Sequence, residues 1–205
     1  FGNLWAGFLN YIVNVGYPQL HMLPAEKKFN KDVKDSDWIT YSFGNMKTEF
    51  GVRFIIKGNK TIIKITNSTK RKIKTPASYY NYIWKTKLTI LDTKGTLTDK
   101  SDDDVKIIST FVDQDGKSID IGFIFNIVED KNGKIWLGTN TGVCVINSLE
   151  AAFKGNNIVN RIKVPRNDGT NLADYLLDGV YVSSIAVDGA NRKWIGTTTS
   201  GLYLV

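Results

Sequence analysis

Few residues in this chain have the type and spacing to do covalent chemistry. His21 is the single histidine and Cys144 the single cysteine, so no multi-histidine metal centre and no disulfide within the chain can be assembled, and Cys144, alternating with Val143 and Val145, is read as a small buried thiol. No Gly-x-Ser-x-Gly, His-Glu-x-x-His or phosphate-loop pattern occurs. Asp102-Asp103-Asp104 and Asp113-x-Asp115-Gly116 carry calcium-loop side chains. In the second, however, Ile124 stands at the twelfth position, where an EF-hand needs glutamate. A glycosidase needs two carboxylates fixed across a cleft, and the spacing of the acids here places no such pair. The expectation is a protein without enzymatic activity, metal or cofactor. Groups suited to recognising a ligand are present: Asn140, Thr141, Arg166, Asn167, Asp168, Tyr175, Thr198 and Ser200. They are amides, hydroxyls, one ion pair's worth of charge and a ring.

What positions them is a repeat. Glu129–Ile146 reads EDKNGKIWLGTNTGVCVI, and Asp188–Val205 reads DGANRKWIGTTTSGLYLV. Asp130 to Trp136 and Asp188 to Trp194 are the same step, followed by Gly138-Thr139 or Gly196-Thr197 and then by Gly142 or Gly201. Near the start, Gly2-Asn3-Leu4-Trp5-Ala6-Gly7 matches Gly133–Gly138 position for position. Asp-x-x-Gly between apolar runs is hairpin chemistry, with Gly133 or Asn191 taking the left-handed position. The expected strands are Ile124–Val128, Lys134–Thr139 and Val143–Ile146, and in the later copy Val182–Val187, Lys193–Thr197 and Leu202–Val205. Trp5, Gly7, Gly133, Trp136, Gly138, Thr139, Gly142, Trp194, Gly196, Thr197 and Gly201 are the structural residues of the unit. The tryptophans are read as core between neighbouring sheets. A repeat of some tens of residues marks an array or propeller. The fold read from it is all-β: a β-propeller of about four antiparallel four-stranded blades, cut from a larger one, with the remaining blades in the same chain.

Strand alternation then sorts the loops. If the Asp turns lie at one end, Asn140, Thr141 and Thr198 to Ser200 lie at the other, joined by the inserted Arg166–Gly179. That crowded face is the expected ligand site, because loops on a rigid scaffold carry function. Leu172–Leu177 is read as a helical turn, Asn67–Ala77 as a basic loop and His21 as a loop residue.

Charge is lopsided. Residues 1–90 hold 15 Lys/Arg against 5 Asp/Glu, and residues 91–205 hold 12 against 15, within a net charge of +7. Lys57, Lys60, Lys64, Lys70, Arg71, Lys72, Lys74, Lys85 and Lys87 accumulate with no acid between Glu49 and Asp92. These lysines, spread over a hairpin and loops, either keep a sheet soluble or draw in an anion. No nucleic-acid-binding module accompanies them. Apolar content of 42% suffices for a core, and no apolar run reaches the ~18 residues of a membrane span.

The motif (I/V)-x-(E/V)-D-x-x-(G/N)-x-(I/K)-W-(I/L)-G-T-x-x-G-(V/L) resembles the two-component regulator propeller repeat of Bacteroidetes-type bacteria. Over Trp84–Val205 the chain also resembles PorZ-like propeller proteins of the type IX secretion apparatus, through segments 91–104, 111–117, 163–179 and 183–197. Residues 84–205 are thus expected to be regulator-type repeats and 1–83 divergent blades of one partial propeller. The resemblance implies an extracytoplasmic interaction domain in the periplasm or at the cell surface. Its partners would be a glycan, an anionic lipopolysaccharide or a secretion-system protein. The alternative it implies is the oligosaccharide-sensing propeller of a hybrid two-component receptor.

Overall fold

The computed structural model describes residues 4–8, 19–27, 32–42, 49–57, 61–73, 80–95, 99–156 and 159–205. Gly2, Asn3, the hairpin turn at 58–60 and Lys74 lie outside these. Among the described residues, four antiparallel sheets of three or four strands and small ribbons follow in chain order. The first joins β1 (Leu4–Phe8), β2 (Gln19–Leu23) and β3 (Ile39–Ser42). The second joins β4 (Glu49–Lys57), β5 (Thr61–Ile73), β6 (Tyr80–Asp92) and β7 (Asp104–Ile108). A short ribbon, β8 (Phe111–Val112) with β9 (Ser118–Ile119), leads to the first full repeat: β10 (Ile124–Glu129), β11 (Ile135–Thr139) and β12 (Gly142–Ile146). Helix α1 (Leu149–Phe153) and the ribbon β13 (Lys163–Pro165) with β14 (Ala173–Tyr175) precede the second repeat: β15 (Val182–Val187), β16 (Lys193–Thr197) and β17 (Leu202–Leu204). Asn160 pairs with Val145 through two backbone bonds of 2.7 and 2.8 Å, taking the place of a fourth strand beside β12.

The first strands of successive sheets meet: β10 lies against β4 on one side and β15 on the other. The sheets are therefore blades standing side by side, with β4, β10 and β15 innermost. Sequence alternation decides which blade each side chain meets. On β11 and β12, Ile135, Leu137, Cys144 and Ile146 pack with Leu88 and Ile90 of the preceding blade. Trp136, Val143 and Val145 pack the other way, with Val182, Ile185 and Ile195. Both faces being covered explains why these strands are apolar throughout, and each buried aliphatic stabilises the stack by about 1.5–3 kcal/mol.

The repeat's glycines have separate reasons. A Cβ at Gly138 would lie 2.8 Å from Val182, because the next inner strand crosses there. At Gly142, with φ +121°, it would lie 2.7 Å from the Leu177 carbonyl. The paired threonines close the turn that follows them. Thr139 Oγ1 donates to Gly142 O at 2.9 Å and accepts from Thr141 N; Thr197 Oγ1 donates to Gly201 O at 2.8 Å and accepts from Ser200 N.

Three expectations are corrected. Residues 172–177 form no helical turn: Ala173–Tyr175 pairs with Lys163–Pro165, and Arg166 N bonds Leu172 O at 2.9 Å to close that hairpin. Asn67–Ile73 is strand, because Tyr80, Tyr82 and Trp84, good strand formers, lie opposite it in register. His21 is in β2, opposite Ala6 and Thr40. Trp5 and Gly7 fall in β1 in register with Met22 and Leu20, as Trp136 and Gly138 do with Val145 and Val143.

Candidate functional site

Each repeat is anchored at one end by an aspartate. Asp130 Oδ1 accepts from the amides of Asn132 (2.9 Å) and Lys134 (3.0 Å), and Oδ2 accepts from the indole N–H of Trp136 at 3.0 Å. Asp188 does the same with Ala190, Arg192 and Trp194 at 2.9, 3.0 and 3.0 Å. Asp113 builds a third such turn with Asp115 and Lys117, both at 2.9 Å, so the acids that carried calcium-loop chemistry spend Asp113 on backbone amides. Gly116, Gly133 and Asn191 hold the left-handed position in the three turns. The counter-ions differ. Asp130 is buried, and its Oδ2 meets Lys193 Nζ of the next blade at 3.0 Å, a cation that also lies 4.9 Å from the centre of the Trp136 ring. Asp188 is served by Arg192 of its own turn at 2.7 Å. Burial alone would raise the Asp130 carboxyl, but the bonds from Trp136, Lys193, Lys134 and Asn132 hold it below the ordinary range. At Asp188 the Trp194 bond leads in pulling the carboxyl down.

Trp136 is core at 6% exposure, whereas Trp194 is 36% exposed. The sequence reading expected both to pack between neighbouring sheets, and Trp136 does so. The β15–β17 blade covers Trp136, and no blade among the described residues covers Trp194.

The opposite end carries the candidate ligand residues. Asn140 and Thr141 form the β11–β12 turn and are exposed, as are Thr198 and Ser200 in the β16–β17 turn. The inserted segment reaches the same end, where Gly179 N bonds Thr141 O at 3.2 Å. Arg166, Asn167 and Asp168 lie on the tip of the β13–β14 hairpin. There Arg166 forks onto Asp174 (2.9 and 2.6 Å) and Asp168 accepts from Thr170 N at 3.0 Å. Tyr175 lies at the base of the hairpin with the Arg161 guanidinium 3.9 Å over its ring, and Arg161 also pairs with Asp178.

Three residues absent from the sequence reading share this end. Phe123 and Tyr181 each stand one residue before an inner strand, and their carbonyls accept from Asn140 N (3.0 Å) and Thr198 N (3.1 Å) respectively. Phe125, at the register shift of β10, bridges them: ring centres are 4.7 Å from Phe123 and 4.2 Å from Tyr181. The signal was an aromatic at one repeat position in both copies.

The backbone register gives the lysines a regular spacing along β5 and β6. Register sets Lys72 opposite Asn81, Lys70 opposite Ile83, Ser68 opposite Lys85, Thr66 opposite Lys87 and Lys64 opposite Thr89. Every second pair of that ladder, from Lys72–Asn81 to Lys64–Thr89, thus includes one lysine, and Glu49 pairs with Ser68.

Residues 118–141, covering the first of these repeats up to its second turn, match the family described as two component regulator propeller. That match takes in the Asp130 turn, Trp136 and Gly138-Thr139. Among curated relatives is histidine kinase P4 of Formosa agariphila, 31% identical over 83 residues, which are 40% of this chain and 6% of that protein. Among solved structures is PorZ of Porphyromonas gingivalis, described as an essential bacterial surface component of the type-IX secretion system. It matches with a TM-score of 0.68 and 23% identity over 99% of this chain and 24% of its own. The chain thus spans a small part of either protein, and the likeness to PorZ is one of fold. No helix among the described residues is long and apolar enough to cross a membrane.

Proposed function

We propose that this chain is a non-catalytic, extracytoplasmic recognition propeller that binds a glycan, an anionic lipopolysaccharide or a secretion-system protein at the end bearing the Asn140–Thr141 and Thr198–Ser200 turns. The supporting observation is that backbone bonds lock those turns and the inserted segment into one rigid face: Gly179 N to Thr141 O, Asn140 N to Phe123 O and Thr198 N to Tyr181 O. A preorganised face loses little entropy on binding. The excess of lysine along β5 and β6 supports the anionic choice by drawing in a partner, a contribution that salt would screen. PorZ-like surface attachment is the whole-protein role this reading favours. The match to a histidine kinase favours a second reading, an oligosaccharide-sensing receptor.

The test is calorimetric titration with purified anionic lipopolysaccharide and with neutral oligosaccharides, at low and high salt. Tyr175→Ala and a Lys70/Lys72/Lys85→Gln variant run side by side. The expected result is that Tyr175→Ala weakens binding at both salts and the lysine variant only at low salt. Loss at both salts for the lysine variant, with Tyr175→Ala normal, would overturn the assignment to the turn-bearing face. Sequencing the whole reading frame separates the two roles: a kinase module supports the sensor, and its absence beside a β-sandwich end domain supports secretion.

A further inference from the structure

Phe123, Phe125 and Tyr181 form a run of rings at the end of the inner strands, and two of the three occupy one position of the repeat. Resting on the reading of this end as the ligand face, we propose that the run is a stacking platform for the ring of a neutral sugar, with Tyr181 as its open surface.

The placement is built by the backbone. In both blades the inner strand shifts register at its start, between Ile124 and Asn126 and between Val182 and Ser184. Such a bulge re-aims a side chain. In the first blade the extra residue is Phe125, which closes the gap between its own blade's Phe123 and the next blade's Tyr181. In the second it is Ser183, which is exposed and donates to Gly196 O at 3.1 Å. Phe123 is pinned by a two-way bond to the turn, its N–H meeting Asn140 Oδ1 at 2.6 Å. Tyr181 is held through its carbonyl and by the Phe125 ring on one side, and keeps 36% of its surface.

The surroundings match a saccharide. A sugar presents C–H groups on its faces and hydroxyls at its edge. It therefore needs an aromatic surface bordered by amides and hydroxyls. Asn140, Thr141, Ser183 and Thr198 supply that border, all exposed and all uncharged. The hydroxyl of Ser183, having given its proton to Gly196 O, still has lone pairs to accept with. A site for a phosphate or carboxylate would present guanidinium or ammonium groups here. The nearby arginines are engaged instead, Arg161 with Asp178 and Arg166 with Asp174.

The experiment is affinity electrophoresis of the chain through native gels cast with laminarin, galactomannan or soluble starch, and with alginate as the anionic arm. Tyr181→Ala, Tyr181→Phe and wild type run together, with circular dichroism confirming the sheet content of each. We expect retardation of wild type by a neutral polysaccharide. Tyr181→Phe should stay within about threefold of it, and Tyr181→Ala should bind at least about tenfold more weakly, the scale of one aromatic contact. Equal retardation of Tyr181→Ala would refute the platform and leave the ligand face to its turns. Retardation by alginate alone would refute the neutral-sugar assignment while sparing an anionic one. Free migration of wild type in every gel would remove the glycan reading and the platform with it.

Discussion

Truncating the two repeat tryptophans should separate what the repeat shares from what its neighbours add. Both indoles donate to an aspartate at 3.0 Å, so the loss of that bond is common to both. Burial is not: Trp136 retains 6% of its surface and Trp194 36%. Burying an aromatic removes roughly 200 Å² from water, at about 25 cal/mol per Å². The difference in exposure withdraws about 60 Å² of that, or about 1.5 kcal/mol. A core Trp→Ala costs about 3–5 kcal/mol, so Trp136→Ala should lie near about 4 kcal/mol and Trp194→Ala near about 2.5. Urea unfolding followed by far-UV circular dichroism, with m fixed across the set, measures both. Equal losses, or a larger one at Trp194, would show that the blade after the tryptophan contributes nothing to its packing.

The Asp130–Lys193 pair is buried from both sides, at 1% and 10% side-chain exposure. Lys193→Met should therefore destabilise by about 3–5 kcal/mol, and adding Asp130→Asn should recover part of it in a double-mutant cycle. Stability should also fall in acid. Asp130 and Asp188 have carboxyls held below their ordinary value, so what they contribute is complete above the unfolded-state range near about 4 and lost as pH drops through the folded values. Urea midpoints that are equal at pH 5 and pH 3 would contradict this. Burial pushes the Cys144 thiol up to about 11, so a disulfide reagent at pH 8 should leave it unmodified until urea is added; fast native labelling would mean that β12 opens.

The repeat was legible because its signals are local. An Asp-x-x-Gly/Asn turn is specified by four residues, and alternation over five more gives the strand; Val182–Val187 and Lys193–Thr197 were read to the residue. What was not legible depended on distant partners. Asn67–Ile73 reads as a loop until Tyr80–Trp84 supplies the opposite strand. Residues 172–177 look helical from Leu172, Ala173, Leu176 and Leu177, yet Lys163–Pro165 claims their backbone. Helix α1 escaped notice because it is a single turn or so, announced only by the Ser148 cap on Ala151 N. At the candidate face, turn positions followed from chain direction. The aromatic run did not, because its closure across two blades depends on a bulge that no local pattern announces.

The two aspartate turns look interchangeable, and their counter-ions show that they are not. Asp188 carries its cation within its own turn, while Asp130 borrows one from the following blade. Were the first unit copied and set ahead of a unit without that lysine, it would lose the cation that meets Asp130 Oδ2 here. The unit that follows must offer a lysine just before its tryptophan, where the first unit itself has Ile135. The order of these two blades is thus written into one side chain. Shuffling them would be resisted by electrostatics even though their backbones superimpose in pattern, strand for strand and turn for turn.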